Sequence, residues 1–429
     1  MDTPSLRLPA GMRDFAPRAA AARRRIAETL LGVFEGWGFS RVITPAFEYE
    51  EVLALGLGAD ARAAALKFVE PSTGRVVALR PDITPQIARL IATRFRDENG
   101  PVRLCYEGTV LRLERGARSQ RELIQAGVEL GGVPSPEGDA EVMALGAAAL
   151  TAAGLGAEGF DLTIDLGHLG LMREVLSALD LPSEGSRAVR AAIGKRDPQR
   201  LDEALASLSS GRGSAGQRAV ARFVRSLPEL SGDPAVLVQA RRAAPNQAIE
   251  RAIIDLQGIV ETVQGRSLPA RLHVDLGEVR GFDYYTGVRF QAFVAGAAEP
   301  VLQGGRYDDL LGRYGRPSPA VGFAIDVEAA AGALEAAHAP SLLHSQFNGT
   351  SMGATLVVGP PSAALPVVAE LRRAGKVAAP LLVPMSDAEI TAYAARWGYR
   401  DVVNTARRPA SGASRASSKS SSKSSSKKG

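Results

Sequence analysis

Arg280-Gly-Phe-Asp-Tyr-Tyr-Thr-Gly287 follows an apolar, strand-like run, Arg271-Leu-His-Val-Asp-Leu-Gly277. One short turn therefore crowds an arginine, an aspartate and two adjacent tyrosines around two glycines, just where the chain enters a core. Such a turn either closes a strand or lines a pocket for a small charged molecule. The segments around it decide what kind of sheet it belongs to.

Further strand-like runs lie downstream at 287–294 and 319–325. Upstream, residues 102–115 and 121–130 read as two strands joined by the charged loop Gly116-Ala-Arg-Ser-Gln120, and 159–165 as another. Runs at 66–70 and 76–80 flank the turn Pro71-Ser-Thr-Gly-Arg75 as a hairpin, and Arg41-Val-Ile-Thr-Pro45 is strand-like. Residues 17–37 predict an amphipathic helix, with Ile26, Leu30, Val33, Phe34 and Trp37 at helical spacing. Thr84-Pro85 predicts a helix start, threonine as cap and proline in the first turn. Helices also fit 138–153 and 328–336, and the stretch 168–266 is helical in pattern, broken near 209–216. Strands, then helices, then strands without regular βαβ alternation give an α+β class: an antiparallel sheet flanked by helices with a helical insertion. A Pro- and Ser-containing linker at 339–352 precedes a small β-α-β-α module. The expected domains are 1–338 (insertion about 168–266), an α/β module at 353–405, and a disordered tail at 409–429.

A chain of 429 residues exceeds one ordinary core, and 45% hydrophobic with 23% charged residues is a globular composition. No apolar run approaches the roughly 20 residues of a membrane span. The start, MDTPSLRLPAGMRDF, lacks the apolar core of a signal peptide, and the single Cys105 excludes an internal disulfide and a cysteine-built zinc site. The expected compartment is the cytoplasm. The net charge of +5 is carried by Arg415, Lys419, Lys423, Lys427 and Lys428 of the Ser/Lys tail. The remainder is balanced, so the total supplies no basic footprint for nucleic acid.

Walker loops, GxSxG elbows, metal-ligand patterns and an acidic Thr/Gly-rich phosphoribosyl diphosphate loop are all absent from the sequence. The expected cofactor is therefore none. The four histidines, His168, His273, His338 and His344, are scattered, with His168 and His273 read as structural. Three stretches concentrate buriable charge. In Arg80-Pro-Asp-Ile-Thr84, Asp82 and Thr84 suit an ammonium group, or simply start a helix. Around the 102–130 strand pair, Arg112 and Glu114 face Arg121, Gln125 and Glu129; Gln125 and Glu129 share one face of the sheet, either solvated or a polar pocket. The third is the opening octapeptide with Leu302-Gln-Gly-Gly-Arg-Tyr-Asp308, the latter either part of a charged pocket or a glycine turn between strands. Together, carboxylates, an arginine and tyrosines on separate strands can surround a zwitterion.

The collinear order Leu8-Pro-Ala-Gly-Met-Arg-Asp14, Arg80-Pro-Asp-Ile-Thr84, Arg121-Glu-Leu-Ile-Gln125-Ala-Gly-Val-Glu129, the octapeptide, Gly304-Gly-Arg-Tyr-Asp-Asp-Leu310 and Pro319-Ala-Val-Gly-Phe-Ala-Ile325 resembles histidyl-tRNA synthetase over residues 8–330. The resemblance implies a class II synthetase-like fold, with Pro45 in the place of the dimer-interface proline. It implies a histidine pocket in which Asp82, Thr84 and Gln125 hold the α-amino group, Glu129 and Tyr285 meet the imidazole beside Tyr284, and Arg280 faces the carboxylate. Arg112 and Arg121 match phosphate-facing arginines, read here as possible remnants.

The departures point to a paralogous family. Active synthetases place an ATP-clamping arginine after Gly-Phe-Ala-x-Gly-x-Glu; here Gly322-Phe-Ala-Ile-Asp-Val-Glu328 is followed by Ala329, and Asp326 replaces the glycine. Such clamps are worth orders of magnitude in rate. The loop between Arg112 and Arg121 looks one residue short, and the module at 354–403 looks like a reduced anticodon domain. The pattern resembles the regulatory subunits of ATP phosphoribosyltransferase. That resemblance implies a non-catalytic role in the first step of histidine biosynthesis, histidine as effector, and a homodimer joined to a short-form catalytic subunit in a hetero-oligomer. Neither tRNA nor a membrane is an expected partner; an active histidine–tRNA ligase is the alternative.

Overall fold

A computed structural model describes residues 7–98, 100–113, 121–156, 160–208, 213–266, 268–281, 284–337 and 354–407. The expected linker and tail, Glu114, the loop 116–120, Phe282, Asp283, His338 and His344 lie outside these residues. The chain divides into two compact units, Met1–Ser345 and Gln346–Gly429.

The first unit is organised by a nine-stranded sheet. Its strands in chain order are β1 (Ser40–Arg41), β5 (Val102–Leu111), β6 (Glu122–Gly131), β7 (Thr163–His168), β8 (Ser231–Gly232), β9 (Arg271–Asp275), β10 (Val288–Phe293), β11 (Leu302–Arg306) and β12 (Ala320–Asp326). The spatial order is β1-β5-β6-β12-β11-β10-β7-β9-β8. The middle of the sheet is antiparallel as expected, but β1 pairs with β5 and β7 with β9 in parallel, so the sheet is mixed. The second parallel pair has a physical reason: a parallel neighbour needs a long crossover, and the helical insertion supplies it. The strand read at Arg41–Pro45 shrinks to Ser40–Arg41, and the one read at 159–165 runs Thr163–His168. Residues Leu302–Arg306, read as a glycine turn, form the fully paired strand β11.

The far face carries α1 (Pro17–Gly36), α5 (Glu137–Leu150), α11 (Gln247–Gln264) and α13 (Val327–Ala336). Ile26, Leu30 and Phe34 of α1 are buried at the expected spacing, and Phe34 meets Phe323 of β12 edge-on at 5.6 Å. The near face is covered by α4 (Thr84–Arg94) and α12 (Asp308–Arg313), whose Ile87, Ile91, Leu310 and Leu311 close over Leu104 and Tyr106. Between β7 and β9 run α6 (Leu169–Leu179), α7 (Ser183–Gly194), α8 (Pro198–Ser207), α9 (Ala215–Ser226), α10 (Val236–Ala243) and α11. A small antiparallel sheet pairs β4 (Val76–Leu79) with β2 (Phe47–Tyr49) on one side and β3 (Lys67–Val69) on the other; only the β3–β4 hairpin was expected.

The second unit is a three-stranded parallel sheet in the order β14 (Ala378–Leu381), β13 (Thr355–Val358), β15 (Asp401–Asn404), with helices α14 (Pro361–Arg373) and α15 (Asp387–Trp397). The third strand was not anticipated. Ser386 caps α15 with a reciprocal bond from Glu389, as its sequence suggests.

Candidate functional site

Glu129 sits at the centre of the near face. Alternation along β6 points Gln125, Gly127 and Glu129 the same way, and Gln125 and Glu129 are 7% and 3% exposed. Register then builds the floor. Glu129 lies opposite Gly322 of β12, and Gly322 opposite Gly305 of β11. A Cβ added at Gly322 would run into the Glu129 carboxyl, and one at Gly305 would stand 2.7 Å from the Tyr285 ring. The missing side chains are therefore the space that Glu129 and Tyr285 occupy.

The start of α4 brings Asp82 and Thr84 to this floor. Thr84 is the first residue of α4 rather than its cap. The cap position is Ile83, which has no capping side chain, and an Asp82 oxygen accepts from the Thr84 backbone N–H at 3.4 Å. The Thr84 side chain faces Glu129 and Tyr106 and lowers the pKa of both. The Tyr106 hydroxyl of β5 hydrogen-bonds with Glu129 Oε1 at 3.3 Å, and the Tyr307 hydroxyl hydrogen-bonds with Glu129 Oε2. Tyr284 packs edge-on to Tyr285 at 4.9 Å and tilted against Tyr307 at 5.5 Å. Burial holds the Glu129 carboxyl well above the usual carboxylate range; Asp82 adds to the effect, while Thr84 and Tyr106 oppose it. Burial also raises Tyr106 and Tyr284, and pushes Tyr285 up to about 12 against the opposing pull of Arg289.

Two buried polar atoms here have no hydrogen-bond partner, Gln125 Oε1 and the Tyr284 hydroxyl. Leaving such atoms unsatisfied costs about 1–3 kcal/mol each. With two carboxyl groups, an amide oxygen and four tyrosines, the pocket is set up to receive N–H donors.

The fold thus brings Asp82, Thr84, Gln125, Glu129, Tyr284 and Tyr285 together. Arg280 does not join them. Its side chain, 57% exposed, turns onto Glu278, with Nε 3.0 Å from Oε1 and Nη2 2.6 Å from Oε2. Glu278 is buried and also takes Arg289 at 2.7 Å, so two cations neutralise one sequestered carboxylate. Arg112 donates from Nε to the Pro81 carbonyl at 2.7 Å, behind Asp82. Arg121 is half-buried, its backbone N–H on the Gly11 carbonyl at 2.8 Å. Tyr106 and Tyr307 were missed as site residues. The available signal was Gly127, the small residue between Gln125 and Glu129: Tyr106 lies opposite it and its ring fills that gap.

Neighbouring charges are structural. Arg80 donates to the carbonyls of Thr109 at 2.7 Å and Thr44 at 3.0 Å. Arg306 is sealed against Asp139 at 2.9 Å. His168 Nδ1 accepts from the Leu171 backbone at 3.0 Å, and His273 Nδ1 meets Asp165 at 2.8 Å, consistent with the structural roles expected of both. At the end of β12, Asp326 lies opposite Gln125, and its Oδ1 accepts from the Ala329 N–H at 3.0 Å, capping α13. Glu328 is buried against Arg23 of α1 at 2.6 Å. The first turn of α13 thus presents carboxylates and a methyl group where a phosphate clamp would need a cation. No group of three or more metal-ligating side chains occurs among the described residues.

A family model described as histidyl-tRNA synthetase matches residues 11–330. The ATP phosphoribosyltransferase regulatory subunit of Geobacter sulfurreducens is 42% identical over 329 residues, 76% of this chain and 73% of that one. The protein of the same name from Anaeromyxobacter sp. (strain Fw109-5) is 43% identical over 338 residues, 78% of this chain and 94% of that one. The chain belongs to the family of ATP phosphoribosyltransferase regulatory subunits, built on the histidyl-tRNA synthetase fold. A Bacillus halodurans structure described as an ATP phosphoribosyltransferase regulatory subunit/histidyl-tRNA synthetase superposes with a TM-score of 0.78 at 26% identity, covering 94% of this chain and 99% of that one. Histidyl-tRNA synthetase of S. aureus shares the fold, with a TM-score of 0.64 at 20% identity over 94% of this chain and 91% of that one. Membership in the regulatory-subunit family accords with the carboxylate-capped start of α13.

Proposed function

We propose that this chain acts as the non-catalytic regulatory subunit that a short-form ATP phosphoribosyltransferase requires to join ATP to phosphoribosyl diphosphate, the first step of histidine biosynthesis. In this reading histidine is the feedback effector, held at Glu129. One observation carries the reading: buried, unpartnered Gln125 Oε1 and Tyr284 hydroxyl flank Glu129 and Asp82, which supports an amino-acid pocket in a chain whose α13 is capped by Asp326 and carries Ala329 in its first turn. The α-ammonium would meet Asp82, Thr84 and Gln125, and the ring would meet Glu129. Arg280 would reach a ligand carboxylate only after leaving Glu278. Feedback then requires that histidine bind one assembly state better than another.

The homodimer expected from Pro45 is supported by an apolar strip beside it. Ile43 is 87% exposed, and Phe47, Phe68, Val69 and Val76 of the small sheet are exposed as well. No described helix is long and apolar enough to cross a membrane, and the cytoplasm is the proposed compartment.

The test is to mix the purified chain with a short-form catalytic subunit and measure phosphoribosyl-ATP formation with and without histidine. Activation that histidine reverses is the expected result, with neither phosphoribosyl transfer nor histidine-dependent pyrophosphate exchange from the chain alone. The synthetase family model favours a second reading, an active histidine–tRNA ligase. Robust pyrophosphate exchange by the lone chain would establish that reading instead.

A further inference from the structure

The groups facing the Glu129 carboxyl come from every element packed around it. β5 contributes Tyr106, the residue after β11 contributes Tyr307, the start of α4 contributes Asp82 and Thr84, and the turn before β10 contributes Tyr284. Asp82 is the one charged group in that set, and it carries the same sign as an ionised Glu129. The cations that act on the surrounding tyrosines are committed elsewhere: Arg80, which acts on Tyr106, bonds the Thr109 and Thr44 carbonyls, while Arg112 and Arg289, which act on Tyr285, bond the Pro81 carbonyl and Glu278. A buried carboxylate without a counter-charge is strongly disfavoured, whereas a buried carboxylic acid bonded to hydroxyls is not.

We propose that the empty site keeps a proton on Glu129 and transfers it to the ring of neutral histidine as the ligand binds. The Glu129 O–H bond breaks, an N–H bond forms at the ring nitrogen facing it, and two neutral groups become a carboxylate–imidazolium pair. No proton is exchanged with solvent. Burial acts in the same direction, holding the Glu129 carboxyl well above its ordinary range. The arrangement selects a weak base. Lysine and arginine side chains arrive already charged and would have to displace the stored proton into solvent. Side chains without a basic nitrogen leave Glu129 neutral and gain no ion pair.

This inference rests on the histidine reading of the site, and its test separates the two. Ring-15N histidine is titrated into the full chain at pH 7.5, with calorimetry in two buffers of different ionisation enthalpy. Both ring nitrogens should appear protonated in the bound ligand while net proton uptake is near zero. Affinity should fall about tenfold from pH 7.5 to 5.5, because free histidine then carries the ring proton before it binds, the imidazole titrating near 6.5. Glu129→Gln should leave any bound ring neutral, and Glu129→Asp should restore the imidazolium. Uptake of about one proton at pH 7.5, or a neutral ring in the unaltered protein, overturns the proton transfer and leaves the pocket intact. Absence of histidine binding overturns both readings.

Discussion

Two glycines and one carboxylic acid set the chemistry at the level of single residues. Gly322 and Gly305 sit in the middle of strands, where glycine ordinarily weakens a sheet, and they are there because Glu129 and Tyr285 lie across them. Gly322→Ala should push the Glu129 carboxyl aside and weaken histidine binding more than tenfold. It should also lower stability by about 1–3 kcal/mol through overpacking. Gly332→Ala is the control, because an added Cβ there meets nothing within 4 Å. Calorimetric histidine titration and denaturant melts of both variants measure the two effects, and unchanged affinity in Gly322→Ala would remove Glu129 from the site. The alternation that placed Gln125 and Glu129 on one face was legible in the sequence. Tyr106, in a strand, and Tyr307, just beyond one, were not read as site residues: aromatics in such places look like core, and the register of β5, β6, β11 and β12 brings both hydroxyls to one carboxyl.

Among the elements, helix termini were the least legible. Asp82 and Thr84 are both good capping residues, and local preference cannot choose between them. Neither caps α4: the cap position falls on Ile83, and Asp82 and Thr84 on either side of it are turned to the Glu129 site. Strand β11 was lost to the same local logic, its glycines reading as a turn when they in fact admit neighbouring rings. Helix α6 is capped by His168, whose ring must be neutral to accept from Leu171 N–H, and burial lowers it to about 4. The folded value lies below the unfolded one of about 6.5, so the unfolded chain binds more protons between them. Stability supplied by this cap is complete above about pH 6.5 and declines as pH falls toward 4, by at most about 1.4 kcal/mol per unit. His168→Asn, which keeps a capping acceptor, should flatten that part of the stability–pH profile in urea melts. An unchanged slope would assign it to other groups.

For the whole molecule, the class α+β and the helical insertion followed from the order of element types, while the parallel pairing at the sheet edges did not, since pairing partners far apart in sequence leave no local trace. The apolar strip at Phe47 and Phe68, whose rings meet edge-on at 5.6 Å, belongs to this scale. Phe47→Asp combined with Phe68→Asp should convert the proposed dimer to a monomer in sedimentation velocity, with Leu365→Asp on the second unit as a control that leaves assembly unchanged. A dimer that survives the double change would place its contact elsewhere. The unpartnered Gln125 oxygen and Tyr284 hydroxyl carry one more implication. A ligand that satisfies them stabilises the fold by mass action, about 2.7 kcal/mol at a hundredfold excess over its dissociation constant. Unliganded copies would open more often and be exposed to proteases for longer. Scarcity of the ligand would then shorten the subunit's lifetime as well as change its activity, so abundance and control would follow the same small molecule.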